Sequence, residues 1–203
     1  MNTFKRKALF TAVVAGLGVA GTAEAVYMSP NRTGQVLVYP YYTVQSVGTN
    51  SWNTYISVRN VGQIAAAVAA AGGRVTEPPS DLVGAALIAS CVDAEGIPFR
   101  LWQPLGRQGG QIANTPGAWN FSDLHTPDSS AATAFYGGLF GWIFDDLGFS
   151  TMIRQPGYGD HLAATSDPGI HQRQSGDQVP PGFADAFAWL ALAQEAQPHW
   201  RVT

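Results

Sequence analysis

Apolar and polar positions are patterned most clearly over residues 34–60, GQVLVYPYYTVQSVGTNSWNTYISVRN. Residues 36–44 are dense in β-branched and aromatic side chains, which suit a pleated, half-buried surface. Both faces of that segment are largely apolar. Pro40 lies in its middle and cannot donate to a ladder, so the segment is expected at a sheet edge or at a bulge. Residues 45–53 form a polar loop containing Gly48, Asn50 and Asn53. Beyond it Thr54, Ile56 and Val58 alternate with Tyr55, Ser57 and Arg59, the pattern of a strand with one buried side. The two segments predict a hairpin, which alone is marginal in water and needs further strands or a helix to cover it.

The rest of the chain is less regular. Residues 64–71 predict a short helix by alanine propensity, ended by Gly72 and Gly73. Residues 77–81 (EPPSD) read as a loop. The apolar run 82–92 suits a buried strand or a short helix, which periodicity does not separate at that length. Residues 97–101 suggest a strand, 105–117 an open loop, and 119–121 a short strand leading to Ser122. Residues 131–147 are apolar nearly all round, so a helix there belongs to the core, although Gly137, Gly138 and Gly141 weaken it. Residues 154–181 read as a long surface loop. Residues 183–197 carry the strongest helix pattern: Phe183, Phe187, Leu190, Ala191 and Gln194 share a face, with Pro180, Pro181 and Gly182 before them and Pro198 after. No solenoid-type repeat is visible. The fold class expected is mainly β, with a sandwich-like N-terminal part, a C-terminal helix at about 183–197 and long irregular loops.

Charge and compartment enter through the N-terminus. Lys5, Arg6 and Lys7 precede an apolar run at 8–20, and Ala23-Glu24-Ala25 has the small-x-small form of a cleavage site. Residues 1–25 therefore read as a signal peptide, with a periplasmic or extracellular destination and no stable membrane insertion after cleavage. Loss of Lys5, Arg6, Lys7 and Glu24 leaves eight basic and thirteen acidic residues, a net charge of −5 with no lysine. Such a chain has no electrostatic footprint for nucleic acid or anionic lipid. Cys91 is the only cysteine. It forms no internal disulfide and is expected as a small buried apolar side chain.

The residues Thr33-Gly34-Gln35-Val36-Leu37, Tyr39-Pro40-Tyr41-Tyr42-Thr43-Val44 and Asn53-Thr54, Ile56-Ser57-Val58, Asn60 resemble the start of an uncharacterised exported proteobacterial family, whose pattern reads GTGQVLxYPYYTV, a polar loop, then NTxISVxN. The resemblance covers about residues 1–62 and brings no catalytic residues. It implies an N-terminal β-hairpin unit at 26–62. In that family a further basic strand follows; residues 64–73 (IAAAVAAAGG) depart from it. Residues 63–203 are accordingly expected as a diverged or irregular remainder of the same domain. A shifted reading frame would give the same Ala-, Gly- and Pro-rich texture.

Three constellations are candidates for chemistry. The loop 160–177 gathers Asp160, His161, Asp167, His171 and Asp177. Carboxylates and imidazoles ligate divalent metals, but the spacing of Asp160, His161, Asp167 and His171 matches no motif with a mechanism. Ser122, Asp123 and His125 lie close in sequence, yet a catalytic triad is assembled in space and no G-x-S-x-G elbow is present. Tyr39, Tyr41, Tyr42, Trp52 and Tyr55 are candidate binding residues, an aromatic platform for a protein or carbohydrate partner. No cofactor motif occurs. The function expected is an exported, non-catalytic binding or structural module. The alternative is an exported hydrolase or metal-dependent enzyme using the loop 160–177.

Overall fold

The computed structural model describes residues 39–40, 54–106, 121–193 and 198–202. Ten strands form two five-stranded sheets, ordered β1-β2-β5-β4-β3 and β10-β6-β9-β8-β7. The first comprises β1 (Tyr39–Pro40), β2 (Thr54–Ser57), β3 (Arg74–Asp81), β4 (Ala86–Val92) and β5 (Pro98–Pro104). The second comprises β6 (Ser122–Thr126), β7 (Ile143–Asp146), β8 (Thr151–Arg154), β9 (Ala186–Leu192) and β10 (His199–Val202).

The two halves share one plan. In each, a strand runs into a helix, and three further strands return antiparallel to one another. The last of the three pairs parallel with the first, β2 with β5 and β6 with β9. The helices are α1 (Val61–Ala70) and α2 (Ser129–Phe140). Each half is thus a βαβββ module. Each also gains an outer strand pairing antiparallel with its first strand, β1 on β2 and β10 on β6. The sequence shows no sign of this duplication, because it is conserved in topology and not in a readable repeat.

Local chemistry explains the helix starts. Asn60 and Asp128 stand in extended conformation at the N-caps. The Asn60 side chain accepts from the Gln63 N–H, and Asp128 accepts from the N–H groups of Ser130 and Ala131. Each satisfies donors that the first helical turn would otherwise leave unpaired. α1 ends where expected. Gly73 beyond it is required by close approach: a Cβ there would lie 2.6 Å from the Val92 carbonyl oxygen and 2.9 Å from the Phe135 ring.

One core joins the modules. Ile56, Val68, Ala89, Cys91 and Leu101 of the first meet Leu124, Phe135, Tyr136, Phe140 and Trp200 of the second in one buried cluster. Phe99 makes edge contacts with Phe135, Tyr136 and Phe140. A buried polar chain runs through this core. Tyr136 Oη donates to Asp93 at 2.9 Å and accepts from Trp200 Nε1 at 3.0 Å. Burial pushes both the Asp93 carboxyl and the Tyr136 hydroxyl upward in pKa. The N–H groups of Glu95 and Ile97 and the Tyr136 hydroxyl restrain the Asp93 shift. Cys91 is buried, and burial holds its thiol up at about 11. It is the inert core residue expected.

The sheet-rich reading is correct, and several finer expectations are not. The expected helix at 183–197 is a single 3-10 turn, Phe183–Asp185, followed by β9. β9 lies between β6 and β8 at the centre of its sheet. Most of β9 is buried, so its apolar residues run without a break, and AFAWLAL matches helical spacing by coincidence. Residues 77–81 belong to β3, a sheet-edge strand with register shifts that accommodate Pro78 and Pro79. Residues 154–181 hold two short helices, α3 (Tyr158–Ala164) and α4 (Ile170–Arg173). Buried Tyr158, Leu162 and Ile170 anchor them to the core. The apolar stretch 131–147 divides into α2 and β7 at Gly141, whose φ of 71° ends the helix. Helix α1 packs on strands of the first sheet, so a helix, and not a facing sheet, backs it. The signal-peptide expectation for residues 1–25 lies outside the described residues.

Candidate functional site

In both modules the first strand alternates between the core and the opposite face of its sheet. In β6, Leu124 is fully buried in the core, while Asp123 and His125 are half-buried on the other side. Ser122 lies on the core side with Leu124 and is fully buried. The sequence trio Ser122, Asp123, His125 is therefore split across the sheet, and the serine does not serve the histidine. The hydrolase reading loses its candidate nucleophile.

The face opposite the core in the second sheet is built in registered rows. His125 pairs across strands with His199 and with Ala191. Asp123 stands between Arg201 and Trp189, and Met152 lies beyond Trp189. The His125 and His199 rings stack with centroids 4.5 Å apart and planes within 5°. The buried His125 Nε2 has no hydrogen-bond partner. Burial lowers the His125 pKa, His199 and Arg201 lower it further, and Asp123 opposes them. The shift favours the neutral imidazole, and its Nε2 is left without a partner.

Beside the imidazoles is an aromatic cluster centred on Trp189. Phe121 stacks on it at 5.9 Å, Phe183 lies at 5.9 Å and Phe149 at 6.3 Å. Phe149 is 79% exposed. A flat conjugated molecule laid on these rings would lie close to the row that carries Asp123, which is Trp189's cross-strand partner. The face thus combines a stacking surface, a neutral base and an Arg201–Asp123 pair of strand neighbours. Arrangements of this type suit proton transfer to or from an aromatic ligand.

The corresponding face of the first sheet carries Tyr55 and Ser57 on β2, and Arg100 and Trp102 on β5. Ser57 stands three residues before its helix cap, as His125 does before its own. The buried Ser57 Oγ also lacks a partner.

The other sequence candidates fare differently. Tyr55 is half-buried beside Trp102, with ring centroids 5.8 Å apart, and accepts from Arg100. Tyr39 stands opposite it in β1. Tyr41, Tyr42 and Trp52 lie outside the described residues. In the loop 160–177, His171 Nε2 lies 3.0 Å from Asp160 Oδ1 with both side chains well exposed, and Asp167 pairs with Arg173. His161 sits in α3. Among the described residues no three His, Cys, Asp or Glu side chains gather to hold a metal. Sequence reasoning missed His199, Trp189 and Arg100. His199 joins His125 only through β10, and no local signal announces that pairing.

No family model matches the chain. It is 26% identical over 151 residues to anthracycline biosynthesis protein DnrV of Streptomyces peucetius, covering 74% of this chain and 48% of the relative. It is 28% identical over 137 residues to anthracycline biosynthesis protein DauV of Streptomyces sp. (strain C5), covering 68% and 49%. The chain spans about half the length of these curated relatives. Among solved structures, 2,2',3-trihydroxybiphenyl 1,2-dioxygenase from Sphingomonas wittichii strain RW1 aligns at a TM-score of 0.43 and 11% identity. That alignment covers 72% of this chain and 49% of the dioxygenase, and at that score the likeness carries no argument. The relatives overturn the reading of an exported, non-catalytic module. The expectation that the chain is not an enzyme falls with it, as does the description as a secreted module.

Proposed function

We propose that this chain is an enzyme of aromatic natural-product biosynthesis, built on the doubled βαβββ plan of the vicinal oxygen chelate folds. It acts on a hydroxylated polycyclic aromatic molecule at the far face of the second sheet. The relatives' names support the substrate class. The single observation that carries the site is the partnerless, buried Nε2 of a neutral His125 beside the Trp189 cluster. The ligand's rings stack on Trp189 and Phe149. A ring hydroxyl, or an acidic C–H beside a ring carbonyl, gives its proton to His125 Nε2, leaving a phenolate or enolate. Arg201 and the second imidazole surround the charge that develops. Asp123 raises the basicity of His125 by stabilising its imidazolium.

Alizarin, a hydroxyanthraquinone whose absorbance moves to the red when its phenol ionises, tests this directly. The full chain is expected to bind it saturably, with quenching of tryptophan fluorescence and a red shift at pH 7. Trp189→Ala should weaken binding about tenfold, the order of a lost aromatic stack. His125→Gln should leave quenching in place and abolish the red shift. The reading is wrong if binding is not saturable or if the glutamine variant ionises the ligand equally well.

A further inference from the structure

The far face of the first sheet holds a different set of groups. Ser57 on β2 and Trp102 on β5 are registered partners on adjacent parallel strands. Ser57 is 1% exposed and its Oγ has no hydrogen-bond partner. The buried Trp102 Nε1 has none either. Buried polar groups are nearly always paired, so two orphans side by side call for an explanation. One step along the same strands, Arg100 pairs with Tyr55. The half-buried guanidinium gives one N–H to the Tyr55 hydroxyl at 3.1 Å and lies 5.8 Å from the centre of that ring. Among the described residues it forms no salt bridge. Among the described residues, Tyr55 is the acceptor recorded for it.

Arg100 and the Trp102 indole can only donate, and Ser57 can donate as well. Glu77 lies in the same row, beyond Ser90, whose hydroxyl donates to it. It is two strands from Arg100 and already engaged. The rings of Tyr55 and Trp102 stand nearly perpendicular, at 84°, and wall the set. We propose that Ser57, Arg100 and Trp102 form a binding site for an oxyanion carried on a flat conjugated body, an aromatic carboxylate being the simplest case. The carboxylate supplies acceptors to Ser57 Oγ, to Trp102 Nε1 and to the Arg100 N–H groups that Tyr55 does not take, and charge-assisted bonds to guanidinium and indole N–H hold it. The carrier's rings lie against Tyr55 and Trp102. His125 leaves its orphan nitrogen at the equivalent place in the second module, so the two faces take opposite chemistry: one accepts a proton, the other receives an anion. The site stands independently of the proposed reaction.

The probe is 2-naphthoate, with the neutral, isosteric 2-naphthamide as comparator. Tryptophan indole N–H signals of the full chain are followed by nitrogen-15 NMR, and the Trp102 signal is identified by its loss in Trp102→Phe. Naphthoate should shift that signal saturably, and naphthamide should bind about tenfold more weakly or worse. Arg100→Gln should weaken naphthoate by a similar factor with an unchanged circular dichroism spectrum. His125→Gln should leave naphthoate binding as in the wild type, which separates this site from the proton-transfer reading. A Trp102 signal that does not move, or moves alike with the amide, overturns the proposal. The amide comparison uses the wild-type chain, and the Trp102 assignment holds where Trp102→Phe loses one indole signal from an otherwise unchanged spectrum.

Discussion

The two βαβββ modules have the same connections and different fillings. Eight residues past its cap, α1 places Val68 in the core; eight past its own cap, α2 places Tyr136 there. Both are fully buried. Val68 is an aliphatic member of the same buried cluster. Tyr136 touches Phe99, Phe135, Phe140, Trp142 and Trp200, and bonds across to Asp93 of the first module. The paired helix position is thus aliphatic in the first module and aromatic in the second, where it reaches across to Phe99 and Asp93. Topology fixes where a side chain points, and residue identity fixes what that position does. The same holds on the far faces, where Ser57 and His125 occupy one position in the plan and differ wholly in chemistry.

The largest test of that asymmetry is truncation at the paired core positions. Tyr136→Ala should cost about 3–5 kcal/mol and Val68→Ala about 1.5–3 kcal/mol in urea unfolding. Tyr136→Phe keeps the ring but takes the donor from Asp93 Oδ2 and the acceptor from the Trp200 N–H, and should still cost about 1–3 kcal/mol. Equal losses at Val68 and Tyr136 would erase the distinction between the halves.

The helix caps give a smaller effect. Asp128 receives two N–H groups and Asn60 one. Asp128→Ala should cost about 1–2 kcal/mol, and Asn60→Ala about 0.5–1 kcal/mol. A reversed order in thermal melts would show that the cap count does not set the difference.

The smallest effect concerns pH. Burial, His199 and Arg201 lower the folded-state pKa of His125 below its ordinary 6.5, against the pull of Asp123. The unfolded chain then binds more protons as pH falls through 6.5, so this group's contribution to stability is present above that value. It declines below it until the folded imidazole also protonates. His125→Asn should flatten this acid limb of a plot of Tm against pH. No change in that limb would mean the imidazole is not held neutral.

Part of this architecture is legible along the chain. Alternation at 54–58 marks the first strand, alanine propensity and Gly72-Gly73 bound α1, and the apolar run at 82–92 contains β4. These are local signals, and the physics that reads them is local. β9 defeats such reading because a central strand, apolar on both faces, carries no period of its own. The loop 154–181 defeats it because α3 and α4 are too short for periodicity, and three buried side chains seat them. The candidate site was half visible. His125 and Asp123 stand beside Ser122 along the chain, but strand alternation sends the serine to the core and the other two to the far face.

The sequence by itself determined which segments are apolar, that α1 stops before Gly72-Gly73, and that one cysteine must remain unbonded within the chain. These depend on residues within a few positions of one another. Only the tertiary structure decided that the chain is a doubled module, that His199 stacks on His125, and that Ser57, Arg100 and Trp102 share a face. Those facts arise from strand pairing between residues tens of positions apart. The register that brings them together is set by burial of the opposite face, and no local window of sequence records it.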